Sequence, residues 1–214
     1  MFNTIKNALK TPEIRKKILF TLLLLVIFRL GCYITIPGVD IVTLESTMSA
    51  SSNSVTGMIN MISGGAFSRL SIFAMSITPY ITASIVIQLL AMIIPSLERL
   101  TKEGGEEGRK KIDRYTKIIT VVLALVEGLG IYLSYRSSGI FVDSGALTGA
   151  VVVISLMAGT SLLMWLGDKI TSVGIGNGIS MLIFAGIVSS LPSAVLGIGS
   201  LIFVDGAFST IGLL

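Results

Sequence analysis

Apolar residues fall along this chain in long blocks separated by short polar stretches, and the blocks set the predicted elements. The first runs from Ile18 to Ile36, the second from Ile72 to Ile94 without a charged residue, the third from Ile118 to Ser134 and the fourth from Leu147 to Leu166. A fifth begins at Ile179 and passes Leu191-Pro192 towards Leu196, and a sixth starts near Ala207 with no room to finish before Leu214. Spanning a hydrocarbon core of ~30 Å takes about 20 largely apolar residues in a helix. Uniformly apolar blocks lack the alternation of a barrel strand, so the pattern predicts five transmembrane helices and the start of another. A helix does not end inside hydrocarbon. The pattern therefore predicts that the sequence is one piece of a longer or split protein.

Composition sharpens this all-α, polytopic membrane reading. Of 214 residues, 52% are hydrophobic and 13% charged, and the mean hydropathy is +0.90, far from the roughly 25% charged usage of soluble domains. Residues 1–17 are too polar for a signal peptide and read as a basic amphipathic N-terminus, so the first span is expected to stay in the mature protein. Cys32 is the single cysteine and His is absent, which excludes disulfides within the chain and weakens metal and acid/base chemistry; no cofactor is expected.

Charge sets orientation. Lys6, Lys10, Arg15, Lys16 and Lys17 precede the first span; Arg99, Lys102, Arg109, Lys110, Lys111, Arg114 and Lys117 lie between the second and third; Lys169 follows the fourth. Thus 13 of the 16 basic residues share one side, which predicts a cytoplasmic N-terminus. The net charge of +4 then reflects topology rather than nucleic-acid binding. The basic loop could still meet lipid headgroups or an anionic partner.

Four features interrupt the apolar pattern. The stretch VTGMINMISGGAFSR, comprising Val55, Thr56, Gly57, Met58, Ile59, Asn60, Met61, Ile62, Ser63, Gly64, Gly65, Ala66, Phe67, Ser68 and Arg69, is too short and polar to span. It reads either as a re-entrant helix packed on its neighbours or as a movable stopper hinged at Ser63-Gly64-Gly65, a use suited to adaptable Met side chains. The second span holds Thr78-Pro79-Tyr80, Thr82, Ser84 and Gln88. Pro79 removes one backbone hydrogen bond there, and the polar groups suit helix-helix bonds. Arg29 and Glu127 are charges within spans and should face protein or water, paired with each other or with separate partners. Gly174-Ile175-Gly176-Asn177-Gly178 follows a helix and lacks the Lys-Ser/Thr of a phosphate loop, so it reads as a tight turn.

The runs PGVD, SGGAFSRLSIFA, PYITASIVIQLL, KEGGEEGRKKIDRYT, LMWLGDKIT and GIGNGISMLIFAGIV occur in this order over nearly the whole chain. Together they resemble SecY, the family of channel-forming subunits of Sec protein translocases, in its N-terminal half. The resemblance implies one half of a pseudo-symmetric, ten-helix channel, and no enzyme. It assigns a pore ring to Ile77, Ile81, Ile179 and Ile183, a plug to residues 55–69, and the neighbourhood of the lateral gate to Thr82, Gln88 and Glu127. A narrow apolar ring resists ions by dewetting yet does not grip a passing polypeptide. The implied location is the inner (plasma) membrane. The implied partners are the C-terminal half, SecE, SecG, SecA or a ribosome, membrane lipid, and a translocating polypeptide with its signal sequence; nucleic acid enters only through a ribosome.

Two other classes compete. A secondary transporter would use Glu127, the only acidic residue within a span, at a midplane site. An intramembrane enzyme would need a nucleophile with a base partner, and no such arrangement is evident.

Overall fold

A computed structural model describes residues 11–50, 60, 63–102, 104–143 and 145–203. Among them the chain forms seven helices: α1 (Pro12–Gly31), α2 (Ile41–Ala50), α3 (Thr78–Ile93), α4 (Pro95–Lys102), α5 (Gly105–Arg136), α6 (Ala146–Val173) and α7 (Gly178–Phe203). The expected sixth helix from Ala207, the residues before Thr11, and Val55 to Ile59, Met61 and Ile62 of the predicted stopper lie outside the described residues.

The helix ends follow from local chemistry. Pro12 sits in the first turn of α1, where its fixed φ is pre-organised and its missing N–H costs nothing. Pro79 takes the same place in α3. This corrects the expectation of a proline inside the second span: residues 72–77 are turns, α3 starts at Thr78, and no helical hydrogen bond is lost. Ile94 is extended, as the residue before Pro95 must be, and there α4 turns away from α3 by 104°.

By length and composition, α5 and α6 can each cross a membrane, and α3 with α4 passes only as a bent pair. The 20 residues of α1 carry Arg15, Lys16, Lys17 and Arg29, too many charges for that measure, though they cluster near its ends, where long basic side chains reach the interface. Both long helices overrun the predicted apolar blocks. The 32 residues of α5 extend about 48 Å at 1.5 Å per residue, so its basic first turns project beyond a hydrocarbon core.

Small residues let α6 act as the hub. On α5 the buried positions Thr116, Thr120, Ala124, Gly128 and Tyr132 recur every four residues, a ridge along one face. Gly128 meets Val153 and Leu156 of α6, and Gly149 of α6 lies under the Tyr132 ring. The other faces of α6 take α1, α3 and α7. Its Gly159 lies against the Ile72 carbonyl and its Gly167 against the Ile179 side chain. Close backbone approach through small residues is how helices associate where hydrophobic collapse gives no drive. The outward faces remain apolar: Leu22, Leu23 and Val26 on α1, and Val122, Val126 and Leu133 on α5, are exposed, as suits lipid contact.

The end opposite the basic side is stitched by backbone bonds between non-helical segments, with α2 packed on them through Leu44. Thr35 bridges Ser71 and Val39 bridges Phe141. The N–H of Ile72 donates to the Ile34 carbonyl at 2.9 Å and that of Asp40 to the Ile140 carbonyl at 2.8 Å. This end gathers the segment after α1, the turns 63–77 and the loop after α5.

Candidate functional site

The four isoleucines of the expected ring sit at the mouths of α3 and α7. Ile77 is the residue before α3, and its carbonyl accepts the Ile81 N–H at 3.1 Å, so the two are one turn apart. Ile77 is buried in a cluster with Phe73, Leu163, Leu166, Ile170 and Leu182, and Ile179 and Ile183 pack against the same cluster. The structure therefore brings three of the four together. Ile81 stands apart at 36% exposed, on the face of α3 that also exposes Ile85 and Leu89.

The start of α7 is fixed by a bolted turn. The Gly178 N–H donates to Thr171 Oγ1 at 2.9 Å and the Ile175 N–H to Thr21 Oγ1 at 3.2 Å. The Ser180 N–H donates to Asn177 Oδ1 at 3.2 Å. Gly176 has φ +72, and a side chain at Gly178 would overlap the Gly167 carbonyl. The glycine run thus serves as a tight turn that places Ile179 one residue beyond a helix start.

Of the predicted stopper, Asn60 and residues 63–69 are described. Ser63 Oγ donates to the Asn60 carbonyl at 3.0 Å and accepts the Phe67 N–H at 3.1 Å, and Asn60 Oδ1 accepts the Ser68 N–H at 3.0 Å. The turn is buried at Ser63, Gly64 and Ala66. Arg29 Nη1 donates to the Gly64 carbonyl. Arg29 is therefore not paired with Glu127, and neither belongs to any of the three ion pairs among the described residues.

Thr82, Gln88 and Glu127 are not assembled into one site. Thr82 Oγ1 donates to the Thr78 carbonyl at 3.1 Å and Gln88 Nε2 to Ser84 Oγ at 3.2 Å, both within α3. Gln88 lines a cleft with Met92, Lys102 and Ile112, whereas Glu127 lines another with Phe67, Met75, Thr78 and Tyr135. Among the described residues, no second acidic side chain and no basic side chain lines the Glu127 cleft, so the lining gives a transporter's ion site no support.

Sequence reasoning missed a charged cluster at the basic end. Lys117 Nζ lies 2.7 Å from Asp113 Oδ2 on α5 and 2.7 Å from Asp168 Oδ2 on α6, and all three border a cleft that also touches Tyr80, Trp165, Asn177 and Ile179. The four-residue spacing of Asp113 and Lys117 was visible; the link to Asp168 needed the helix pairing.

These features define an all-helical, polytopic membrane protein whose helices converge on a central apolar cluster. The sequence profile of the SecY family matches residues 71–214. The protein translocase subunit SecY of Streptomyces coelicolor is 44% identical over 206 residues, covering 91% of this chain and 47% of that protein. SecY of Bacillus subtilis is 45% identical over 199 residues, covering 91% and 45%. The chain belongs to the SecY family, and it spans about half the length of these relatives. Among solved structures, Sec61 in a canine ribosome-channel complex from the endoplasmic reticulum superposes with a TM-score of 0.64 at 20% identity, over 90% of this chain and 43% of that one. A protein-conducting channel gives the same score and identity over 91% and 43%. These two show the shared fold.

Proposed function

We propose that this chain forms the N-terminal half of a protein-conducting channel, which passes secretory proteins across a membrane and releases membrane segments sideways into lipid. The observation that carries the reading is the SecY-family match over residues 71–214, with Ile81 exposed on α3 and Ile179 and Ile183 half-buried at the start of α7, while Ile77 packs in the helix core behind them. An apolar constriction excludes ions without binding the peptide that moves through it. Ile81, exposed on α3, is the ring position left to meet the other half of the channel. Residues 55–69 are the plug. Thr82, Gln88 and Glu127 border the lateral gate, where apolar signal sequences part the helices.

The basic end is cytoplasmic and the host membrane is the inner (plasma) membrane, in keeping with 13 of the 16 basic residues lying on that side. SecE, SecG and the C-terminal half complete the channel, and SecA or a ribosome feeds it. The test is photo-crosslinking from Ile81 in the complete channel to a secretory protein stalled in export. A crosslink that requires the signal sequence supports the path; none, in a verified assembly, removes it. Ion leak gives the second arm: Ile81→Gly, Ile179→Gly or deletion of residues 55–69 should raise it, and unchanged conductance sinks the seal.

A further inference from the structure

We propose that Arg29 is a latch that holds the glycine turn of the plug closed against α1 and α7, and that Tyr33 keeps the guanidinium partnered when the turn leaves. The inference rests on reading residues 55–69 as the plug. Gly64 lies where the two helices approach: a side chain there would come within 2.7 Å of Ser189 Oγ, 2.9 Å of Arg29 Nη1 and 3.1 Å of the Gly186 carbonyl. Its φ of +64 is one that glycine adopts freely. Only a glycine brings its carbonyl to Arg29 at this crossing.

The choice of partner makes the contact reversible. A cation inside a membrane protein pairs with an acidic side chain or with backbone carbonyls, and breaking a buried pair with a carboxylate leaves an uncompensated charge. Arg29 instead uses a neutral backbone carbonyl. Its other contacts lie on its own side: Nη2 lies 3.5 Å from the Tyr33 hydroxyl, the guanidinium carbon is 5.2 Å from the centre of the Tyr33 ring, and the side chain also bonds Cys32. Those contacts survive displacement of the turn, so opening does not strand the charge.

Arg69, at the far end of the plug, lies 4.5 Å from the centre of the same ring. The ring face attracts each cation, while the two cations repel each other. Both ends of the described turn therefore report to one tyrosine, and the closed state is held without being deep.

The experiment uses the complete channel with Cys32→Ser, which keeps a polar partner for Arg29, and the reporter Ala66→Cys at a buried position of the turn, labelled from the outer side by a membrane-impermeant maleimide. Arg29→Met should speed labelling about tenfold or more, the shift expected when one charge-assisted hydrogen bond is lost. Arg29→Lys, which keeps the charge but not the fork, should fall between. Gly64→Ala attacks the contact from the other partner and should also speed labelling, so the question stays answerable if Arg29→Met fails to assemble. Labelling unchanged in assembled Arg29→Lys and Gly64→Ala channels overturns the latch. Faster labelling with no rise in ion leak keeps the latch and removes the seal reading instead.

Discussion

Thr21 and Ile175 are 154 positions apart, yet the Ile175 N–H donates to Thr21 Oγ1 at 3.2 Å, while the same hydroxyl donates to the Lys17 carbonyl at 2.9 Å. One buried hydroxyl thus ties the first helix to the turn that starts α7, and so to Ile179. Gly174 is held close to the same oxygen, since a side chain there would lie 2.5 Å from it.

Thr21→Val keeps the shape and removes both bonds. We expect a loss of about 1 kcal/mol, the net worth of an ordinary hydrogen bond, because the turn is exposed enough for water to take over the freed N–H. Hydrogen exchange should show the Ile175 amide losing protection while amides in the middle of α6 keep theirs. Equal loss in both would mean that Thr21 supports the whole bundle instead of the turn.

The Lys117 bridge should matter modestly and depend on salt. Its three side chains are 31%, 46% and 45% exposed, so screening limits each pair to about 0.2–1 kcal/mol. Asp168→Asn cuts the link between α5 and α6, whereas Asp113→Asn cuts a contact within α5. Thermal unfolding of the assembled protein should be lowered more by Asp168→Asn than by Asp113→Asn, and high salt should shrink the difference. A difference that ignores salt would assign the effect to packing.

The Asp40 carboxylate caps α2: Thr43 Oγ1 donates to Oδ2 at 2.7 Å and the Val42 N–H to Oδ1 at 3.1 Å. These bonds hold its pKa below the ordinary carboxylate value, the Thr43 bond contributing most. A depressed folded pKa means that the contribution is complete above the ordinary value and is lost as pH falls through the folded one. Protection of the Leu44 amide, which donates to the Asp40 carbonyl at 3.0 Å, should therefore be flat above about pH 5 and decline below about pH 4. Asp40→Asn should flatten that decline; a decline that persists would place the titration elsewhere.

How much of this was legible depends on the range of the interaction. The blocks behind α5, α6 and α7 stand out because hydropathy is summed over many residues, and the glycine turn at 174–178 reads correctly because its chemistry is local. The second span misled at Ile72: hydropathy does not distinguish apolar turns from apolar helix, and the turns at 72–77 are held by the Ile34 carbonyl and by α6. The partner of Arg29 was hidden for the same reason. Sequence shows a charge needing relief, but a backbone carbonyl brought in by Gly64 has no signature of its own. Three of the four isoleucines proposed for the ring share a cluster, while spacing alone set Ile77 and Ile81 on one face without showing that one is buried and the other exposed.

Gly159 gives the sharpest steric test. A side chain there would run into the backbone carbonyl of Ile72, and a backbone carbonyl in a stitched turn cannot rotate aside as a side chain can. Gly159→Ala should therefore push the turns 72–77 away from α6 and misplace Ile77, at a cost of about 1–3 kcal/mol or more for overpacking. Gly130, on α5, has nothing within 4 Å of where a side chain would begin, so Gly130→Ala should be neutral or gain up to about 1 kcal/mol from helix propensity. Thermal unfolding of the assembled protein carrying each variant separates the two. If both behave alike, glycine content rather than the contact with Ile72 governs this bundle; if only Gly159→Ala destabilises, the close approach of α6 to the Ile72 carbonyl sets where the turns 72–77 and Ile77 sit.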